Sequence, residues 1–422
     1  MQGIPCQARN DGIGESCHNG IDILYDPLCD KSLERKNEKE IILMPKETMT
    51  SRERVTKAVN HQVPDRMPID LGMHFSTGIS AFAYKHLREY LGLKADVVDV
   101  ADPVQMLARV DEDIIARFHG DTILLNPTWK NPATWNPRGD YKFLVSDKAV
   151  PQPKENGDWI VSNGENSMRM PNGGFFFDGD WFNLGEYENE DEEFKLYAAR
   201  AERIYKETDY YTMQMGFPGF FSGIDFACQM LTDPEDAIEY QEGLFEWAMR
   251  RIEKVIRMYG EYIQCIEVNS DLGTQNAPFL SPQNYEKFCM PYLKKFNDFV
   301  HRNSDIKVFI HCCGSIDPLI PYIIEAGVDI LNPVQISASN MNPKDLKERY
   351  GKQICFWGGG CDTQQVLPNA TPDGVKEHVR ELVHIFKPGG GFVFNQVHNI
   401  MGNVSPENIV AMFDTAYEES FY

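Results

Sequence analysis

The C-terminal half of the chain alternates short β-rich apolar runs with amphipathic helical patterns. The apolar runs are YIQCIEVN, KVFIHCC, VDILNPV, QICFWGGG and GFVFNQVH. Helices are predicted from Pro282, near Asp317, and from Pro343, Pro372 and Pro406, most of them with proline in the first turn. Short strands that alternate with helices in this way predict a parallel sheet.

Closure of this sheet into a barrel is favoured over an open nucleotide-binding sheet. Short links join the strand and helix units, and no dinucleotide fingerprint follows a first strand. A long amphipathic helix precedes the repeats, with Asp233 as its cap and Pro234 in its first turn. The pattern therefore predicts an α/β protein with a (β/α)8 TIM barrel.

The N-terminal half has a different pattern of apolar and polar residues. Between about residues 120 and 185, apolar and aromatic runs such as TILLNP and KFLVS alternate with Gly, Pro and Asn, which predicts antiparallel hairpins inserted into the barrel. Residues 1–49 show no sustained periodicity, and a capped helix begins near Thr50. We therefore expect an N-terminal extension over 1–49 and a barrel domain over 50–422.

Composition narrows the classes of partner. The 422 residues carry a formal charge of -22, which disfavours nucleic acid, anionic lipid and polyanionic ligands. The sequence contains no run of 18 apolar residues and no signal-peptide pattern at its start, so we expect a cytoplasmic protein that does not enter membranes. A small neutral or cationic substrate fits this charge.

The sharpest chemical signal is VFIHCCGS at a predicted strand end. His311 and Cys313 are two residues apart there and point to the same side, which places an imidazole and a thiolate within reach of one ion. A catalytic zinc needs three protein ligands, and either Cys361 or His398, at the next strand ends, completes the set. The sequence does not choose between them, and the alternative for the pair is ordinary core packing.

Other polar residues follow the same strands and are expected to face the active site. Glu267 and Asp271 are candidates for a general base, a metal ligand or a hydrogen-bond acceptor, although a solvated loop acid is the alternative for each. The candidates for substrate binding are Gln275, Asn332, Gln335 and Asn395.

At this point the motifs resemble those of a known family. The segments RERVTKAVNHQVPDRMPIDLG, SDLGTQNAPFLSPQNYEKF, HCCGSIDPLIPYIIEAGVDILNPVQ and HNIMGNVSPENIVAMF are similar to those of the uroporphyrinogen decarboxylase-like superfamily. The resemblance runs from about Thr50 to Tyr422 and implies a (β/α)8 barrel with its active site at the carboxyl ends of the strands. It specifies the superfamily more closely than the reaction.

Two branches of the superfamily compete. Uroporphyrinogen decarboxylases are expected to bind substrate carboxylates through arginines in the segment RMPIDLGMHFSTG, where no arginine follows Arg66. The zinc-dependent methyltransferases that act with a corrinoid protein carry an HxC pair like His311 and Cys313, and a later cysteine where this chain has His398 before SPEN. The departure at His398 implies a His/Cys/His site, a switch to Cys361, or loss of zinc.

The methyltransferase branch implies a function that suits these residues. Zinc would act as a Lewis acid on a thiol or ether heteroatom, while a methyl group passes to or from cobalt on a partner corrinoid protein, as in O-demethylation. The resemblance also implies that Asp70, at the first strand end, faces the cavity and that the protein forms a homodimer. The alternatives are a lyase or decarboxylase of a non-porphyrin molecule, and a barrel that binds a ligand without catalysis.

Overall fold

The computed structural model describes residues 47–179 and 186–422, and Glu47–Tyr422 form one unit. The predicted extension over 1–49 lies outside the described residues for positions 1–46. No helix among the described residues is both long enough and apolar enough to span a bilayer.

The helices alternate with strands through the second half of the chain, as the pattern predicts. Their bounds are α1 Ser51–Val59, α2 Ala81–Tyr90, α3 Glu112–Arg117, α4 Glu190–Glu207, α5 Ile224–Thr232, α6 Pro234–Tyr259, α7 Pro282–Phe288, α8 Met290–Asn303, α9 Ile320–Glu325, α10 Pro343–Tyr350, α11 Val366–Asn369, α12 Pro372–Phe386 and α13 Pro406–Glu418.

The strands fall into an N-terminal set and a C-terminal set. Their bounds are β1 Val98–Asp102, β2 Leu107–Ala108, β3 Pro132–Trp135, β4 Phe143–Ser146, β5 Gln152–Pro153, β6 Trp159–Ser162, β7 Ser167–Met170, β8 Asp178–Gly179, β9 Met213–Pro218, β10 Cys265–Asn269, β11 Lys307–His311, β12 Ile330–Asn332, β13 Cys355–Trp357 and β14 Phe392–Val393.

The C-terminal set forms a six-stranded parallel sheet in the order β14-β13-β12-β11-β10-β9. Each of the five predicted apolar runs supplies one of its strands, because these runs are flanked by helices that cover the sheet. The register aligns Asn269 with His311, and His311 with Asn332, so that polar residues at the carboxyl ends of β10, β11 and β12 lie side by side. The expectation of an α/β fold with a parallel sheet is confirmed.

Regular strands in the described residues do not close the predicted eight-stranded barrel. Two short segments lie at the free edges of the sheet, where Ile69 forms a parallel bridge to Phe394 and Thr122 forms one to Tyr211. The Asp121 backbone N–H donates to the Ile69 carbonyl at 2.8 Å, so the two segments also contact each other. The TILLNP run therefore pairs in parallel at the edge of this sheet, and its assignment to an antiparallel hairpin is wrong.

Antiparallel pairing is not confined to the predicted interval, because β1 and β2 already pair antiparallel before residue 120. Strands β3 and β4 pair antiparallel, and β5, β6, β7 and β8 form a separate antiparallel sheet. These strands lie within the predicted interval of about 120–185, of which residues 180–185 are outside the described part of the chain.

The predicted long helix is α6, and its N-terminus follows the expected chemistry. The Asp233 side chain accepts a hydrogen bond from the Asp236 backbone N–H, and Pro234 occupies the first turn, where its missing N–H costs nothing. The buried face of α6 packs towards the sheet through residues that recur at helical spacing, including Ala248, Ile252, Val255 and Tyr259.

Candidate functional site

Three potential metal ligands meet above the carboxyl ends of the parallel strands. One ligand atom from each of His311, Cys313 and His398 lies within 4.8 Å of the others. His311 Nε2 and Cys313 Sγ are 3.5 Å apart, and the rings of His311 and His398 have centroids 5.6 Å apart. The group includes His398 and does not include Cys361.

Local backbone structure brings these side chains together. His311 is the last residue of β11, and Cys313 follows two positions later, so both side chains point towards the same side. His398 comes from the loop after β14 and has a φ of 62°, in the left-handed region that residues with a side chain seldom occupy. An unusual backbone conformation at a ligand candidate is a feature often held in place by function.

Burial keeps both imidazoles neutral. It lowers the pKa of His311, and it lowers the pKa of His398 to about 3, with the neighbouring His311 adding to the effect. Burial also raises the pKa of the Cys313 thiol above its ordinary value. Each neutral imidazole has a nitrogen lone pair that can bind a metal ion. A buried thiol of this kind ionises readily only beside a cation.

Asn332 orients the His311 ring from behind. Its Nδ2 donates to the Trp357 carbonyl at 3.0 Å, which fixes the amide so that Oδ1 faces His311 Nδ1 at 2.9 Å. An amide oxygen only accepts, so the proton of the neutral His311 ring is on Nδ1 and the lone pair is on Nε2. Metal-ligating histidines commonly have this arrangement, with the far nitrogen donating to an oxygen.

Asp271 lies at the edge of the three-ligand group. Its Oδ1 accepts the Cys313 backbone N–H at 2.9 Å and is 3.5 Å from His311 Nε2. The side chain is 58% exposed, so water also reaches this carboxylate. Asp271 can therefore support the loop that carries Cys313 or approach a bound cation.

Glu267 lies deeper, beside a histidine that the sequence reasoning missed. Its Oε2 accepts the Gly216 backbone N–H at 2.8 Å, and its Oε1 is 3.6 Å from His74 Nε2. The His74 ring lies against His311, with centroids 5.5 Å apart. His74 follows the short segment that contains Ile69 and Asp70, so the rule that strand ends line the site would have found it if that segment had been recognised as part of the sheet.

A cavity of about 520 Å³ opens beside this group. Aromatic side chains from Phe75, Tyr197 and Trp247 form part of its wall, which suits a ring-bearing ligand. Its charged and titratable lining residues are His74, Asp102, Glu193, Arg251, Glu267, His311 and His398. Because Glu193 and Arg251 pair with each other, the carboxylate of Glu267 makes the cavity better suited to a neutral or cationic ligand than to an anion.

Gln275 and Gln335 form a hydrogen-bonded pair close to Gly314. Gln335 Nε2 donates to Gln275 Oε1 at 2.9 Å, and Gln335 Oε1 accepts the Gly314 backbone N–H at 2.8 Å. Neither residue is among those that line the cavity beside His74. The pair therefore braces the loop after β11.

Asp70 and Asn395 are fully buried below the site. Asp70 accepts hydrogen bonds from Thr122 at 2.6 Å and from the Trp357 indole at 2.8 Å, and burial raises the pKa of Asp70. Asn395 Nδ2 donates to the Asp70 carbonyl at 3.0 Å. Neither side chain lines the cavity.

Cys361 is also buried, and the neighbouring Asp362 carboxylate acts together with burial on its thiol. Its thiol contacts the Asp362 carbonyl at 3.9 Å, and burial raises the pKa of this thiol. These surroundings favour a neutral thiol that packs in the core.

Comparison with known proteins confirms the predicted resemblance. The model of the uroporphyrinogen decarboxylase (URO-D) family matches residues 224–419, which contain His311, Cys313 and His398. Uroporphyrinogen decarboxylase from Pseudoalteromonas translucida is 27% identical over 146 residues, which are 33% of this chain and 38% of that protein. The same enzyme from Synechocystis sp. is 27% identical over 169 residues, which are 39% of this chain and 45% of that protein.

These alignments span less than half the length of the curated relatives. Among solved structures, a methyltransferase from Methanosarcina mazei matches 88% of this chain and 99% of its own chain, at 14% identity and a TM-score of 0.46.

Proposed function

From this relationship to the uroporphyrinogen decarboxylase family, we propose that the protein is a zinc-dependent methyltransferase. It moves a methyl group between a small methylated substrate, such as a methoxylated aromatic compound, and a corrinoid protein, as in O-demethylation. The observation that carries this proposal is the convergence of His311, Cys313 and His398 beside a cavity with aromatic walls.

The donor set suits zinc. Two imidazole nitrogens and one thiolate are ligands that zinc prefers, and three protein ligands leave one position open for substrate. His398 is the proposed third ligand, because its ring belongs to the group and Cys361 does not. When bound, the zinc ion supplies Lewis acidity to the heteroatom that carries the methyl group.

The surrounding residues take supporting roles in this proposal. Asn332 holds the tautomer of His311, and Asp271 holds the loop of Cys313. Glu267 contributes a carboxylate to the cavity next to the proposed ligands.

Four further residues act from outside the cavity. Gln275 and Gln335 brace the loop after β11, while Asp70 and Asn395 hold the strand ends below the site. We propose that these four residues position the loops and strand ends around the metal ligands and do not touch the substrate.

Porphyrinogen decarboxylation fits the site poorly. Arg66 pairs with the buried Asp121 at 2.7 Å, so the positive charge of Arg66 is already neutralised within the protein. The arginine that lines the cavity, Arg251, pairs with Glu190 at 2.7 Å and with Glu193 at 3.0 Å. A substrate with many carboxylates would therefore meet acidic side chains and no unpaired cation among the described lining residues.

We also propose how the barrel is completed and in which oligomeric state and compartment the protein works. The segments around Ile69 and Thr122 take the places of the first two strands, completing an eight-membered barrel with β9 to β14. The protein works in the cytoplasm as a homodimer and receives or supplies methyl groups through a separate corrinoid protein.

A methyl-transfer assay tests the function. The zinc-loaded protein is incubated anaerobically with cob(I)alamin, as a stand-in for the partner, and with methoxylated phenols, and methylcobalamin is followed by absorbance. The electron pair of the broken C–O bond stays on the oxygen, and cobalt(I) supplies the electron pair of the new Co–C bond. We expect methylcobalamin with the wild type and none with His311→Ala.

The other outcomes separate the alternatives. Carbon dioxide release from a carboxylated substrate without cobalamin would indicate a lyase. Ligand binding without turnover under either condition would indicate a binding protein.

A further inference from the structure

His74 lies between the candidate metal ligands and the cavity. Its side chain is buried, lines the cavity, and contacts both His311 and Phe309 through its ring. Nothing in the proposed ligand set uses it, although it is as close to His311 as His398 is, with ring centroids 5.5 and 5.6 Å away.

The hydrogen bonds of His74 fix its tautomer. The backbone N–H of Ser76 donates to His74 Nδ1 at 3.0 Å, and a nitrogen that accepts a hydrogen bond carries no proton. The proton of the neutral ring is therefore on Nε2. The Ser76 hydroxyl lies 2.7 Å from both His74 Nδ1 and Asn332 Oδ1. With Nδ1 unprotonated, the hydroxyl donates to Nδ1, because donation to Asn332 would leave the hydroxyl oxygen facing the Nδ1 lone pair.

The two neighbouring histidines are thus held in opposite tautomers. His311 presents the lone pair of Nε2, because its Nδ1–H faces Asn332. His74 presents an Nε2–H group. One ring is prepared to bind a cation, and the other is prepared to donate a hydrogen bond.

The Nε2–H of His74 has a weak partner within the protein. Glu267 Oε1 is 3.6 Å away, which is longer than a hydrogen bond, and the other Glu267 oxygen is engaged by Gly216. A ligand oxygen that enters the cavity can accept this proton at a better distance. The aromatic wall formed by Tyr197 and Trp247 lies along the same cavity and suits the ring that would carry such an oxygen.

We propose that His74 is a catalytic residue that donates its Nε2–H to the oxygen of a ring-bearing substrate and holds that oxygen beside His311, Cys313 and His398. The proposal rests on the proposed function for the identity of the site, and it names the substrate class as an aromatic ether or phenol. Glu267 lines the same cavity beside the donor nitrogen of His74.

Nitrogen chemical shifts test the tautomers without a ligand or turnover. In metal-free protein labelled with ¹⁵N-histidine, long-range proton–nitrogen spectra are assigned with His74→Gln and His311→Gln variants. We expect His74 with a proton on Nε2 and His311 with a proton on Nδ1. A proton on Nδ1 of His74 would overturn the proposal.

Ligand binding tests the hydrogen bond itself. Calorimetry with 2-methoxyphenol and the zinc-loaded protein, in the absence of any corrinoid, is expected to show about tenfold weaker binding for His74→Phe. His74→Gln keeps an N–H donor and is expected to remain within about threefold of the wild type. His86→Phe is the control, because His86 is bonded to Tyr141 outside the cavity lining and its loss is expected to leave the affinity unchanged.

Three results would contradict the proposal. They are equal binding by His74→Phe and the wild type, no binding of 2-methoxyphenol by the wild type, and loss of zinc from His74→Phe, which would make His74 a metal ligand. Because no methyl transfer is measured, failure of the methyltransferase assay leaves these results interpretable.

Discussion

At the scale of single residues, the orientation of His311 depends on one amide. Asn332 is anchored to the Trp357 carbonyl and accepts from the His311 ring, so the ring cannot rotate without breaking a buried hydrogen bond. Removing an oriented oxygen of this kind leaves the ligand in place but lets its ring choose the wrong tautomer or angle.

We therefore expect Asn332→Ala to weaken zinc binding about 10- to 100-fold while one site per chain remains at saturation. Competition with a chromophoric chelator measures the affinity. Asn408→Ala is the matched control, because Asn408 is also buried and donates to two carbonyls, those of Leu367 and Ala370, near α11. Equal affinities for Asn332→Ala and Asn408→Ala would refute an orienting role.

The sequence located part of this site for a clear physical reason. His311 and Cys313 are neighbours in the chain, so strand geometry alone places them together. His398 could not be preferred over Cys361, because its position depends on a left-handed backbone angle in a loop. His74 was missed because it follows a segment that makes an isolated bridge and lacks the apolar run of a regular strand.

At the scale of elements, Asp121 ties together the start of the domain. Its carboxylate is fully buried and pairs with Arg54 of α1 at 2.6 Å and with Arg66 at 2.7 Å, and it also accepts the Ile69 backbone N–H. These contacts hold the two short segments at the edges of the parallel sheet. The site depends on them, since His74 follows one of these segments.

We expect Asp121→Asn to lower the free energy of unfolding by about 1.5–3 kcal/mol, because two buried guanidinium groups lose a charged hydrogen-bond partner while they keep their ion pairs with Asp65 and Glu47. Asp414→Asn is the matched control, since Asp414 pairs with Arg117 in an exposed position and should cost less than about 1 kcal/mol. Urea unfolding at pH 7 measures both. Similar small losses for the two variants would show that the buried cluster is not a stabilising junction.

Elements with strong periodicity were predicted well, whereas short ones were not. The five C-terminal strands and α6 follow from hydrophobic period and proline position. The TILLNP run was assigned to a hairpin, because a few apolar residues beside Asn and Pro have the same pattern in a hairpin and in a short parallel strand. Its parallel bridge to Tyr211 depends on partners about 90 residues away, which local patterns do not contain.

At the scale of the whole molecule, the negative charge extends into the cavity. The chain has a formal charge of -22, and the cavity lining adds Glu267. Glu193 and Arg251 pair with each other there, and burial raises the pKa of Asp102. Net charge and local lining therefore act in the same direction, and both disfavour anionic ligands.

We expect 3-methoxybenzoate to bind at least about fivefold more weakly than 3-methoxybenzyl alcohol, because like charges a few ångströms apart cost on the order of 1 kcal/mol in a partly solvated cavity. The two compounds share ring and ether and differ in charge. Raising the salt concentration should narrow the difference, since the repulsion is screened. Tighter binding of the benzoate would show that Arg251 recognises a carboxylate and would contradict the charge argument.

The zinc content of protein purified under reducing, anaerobic conditions, measured by elemental analysis, tests the proposed metal site. We expect one zinc ion per chain in the wild type and in Cys361→Ala, and little or none in His311→Ala, Cys313→Ala and His398→Ala. A well-folded wild type without metal would contradict the proposed mechanism, and zinc lost from Cys361→Ala but kept by His398→Ala would contradict the assignment of the third ligand.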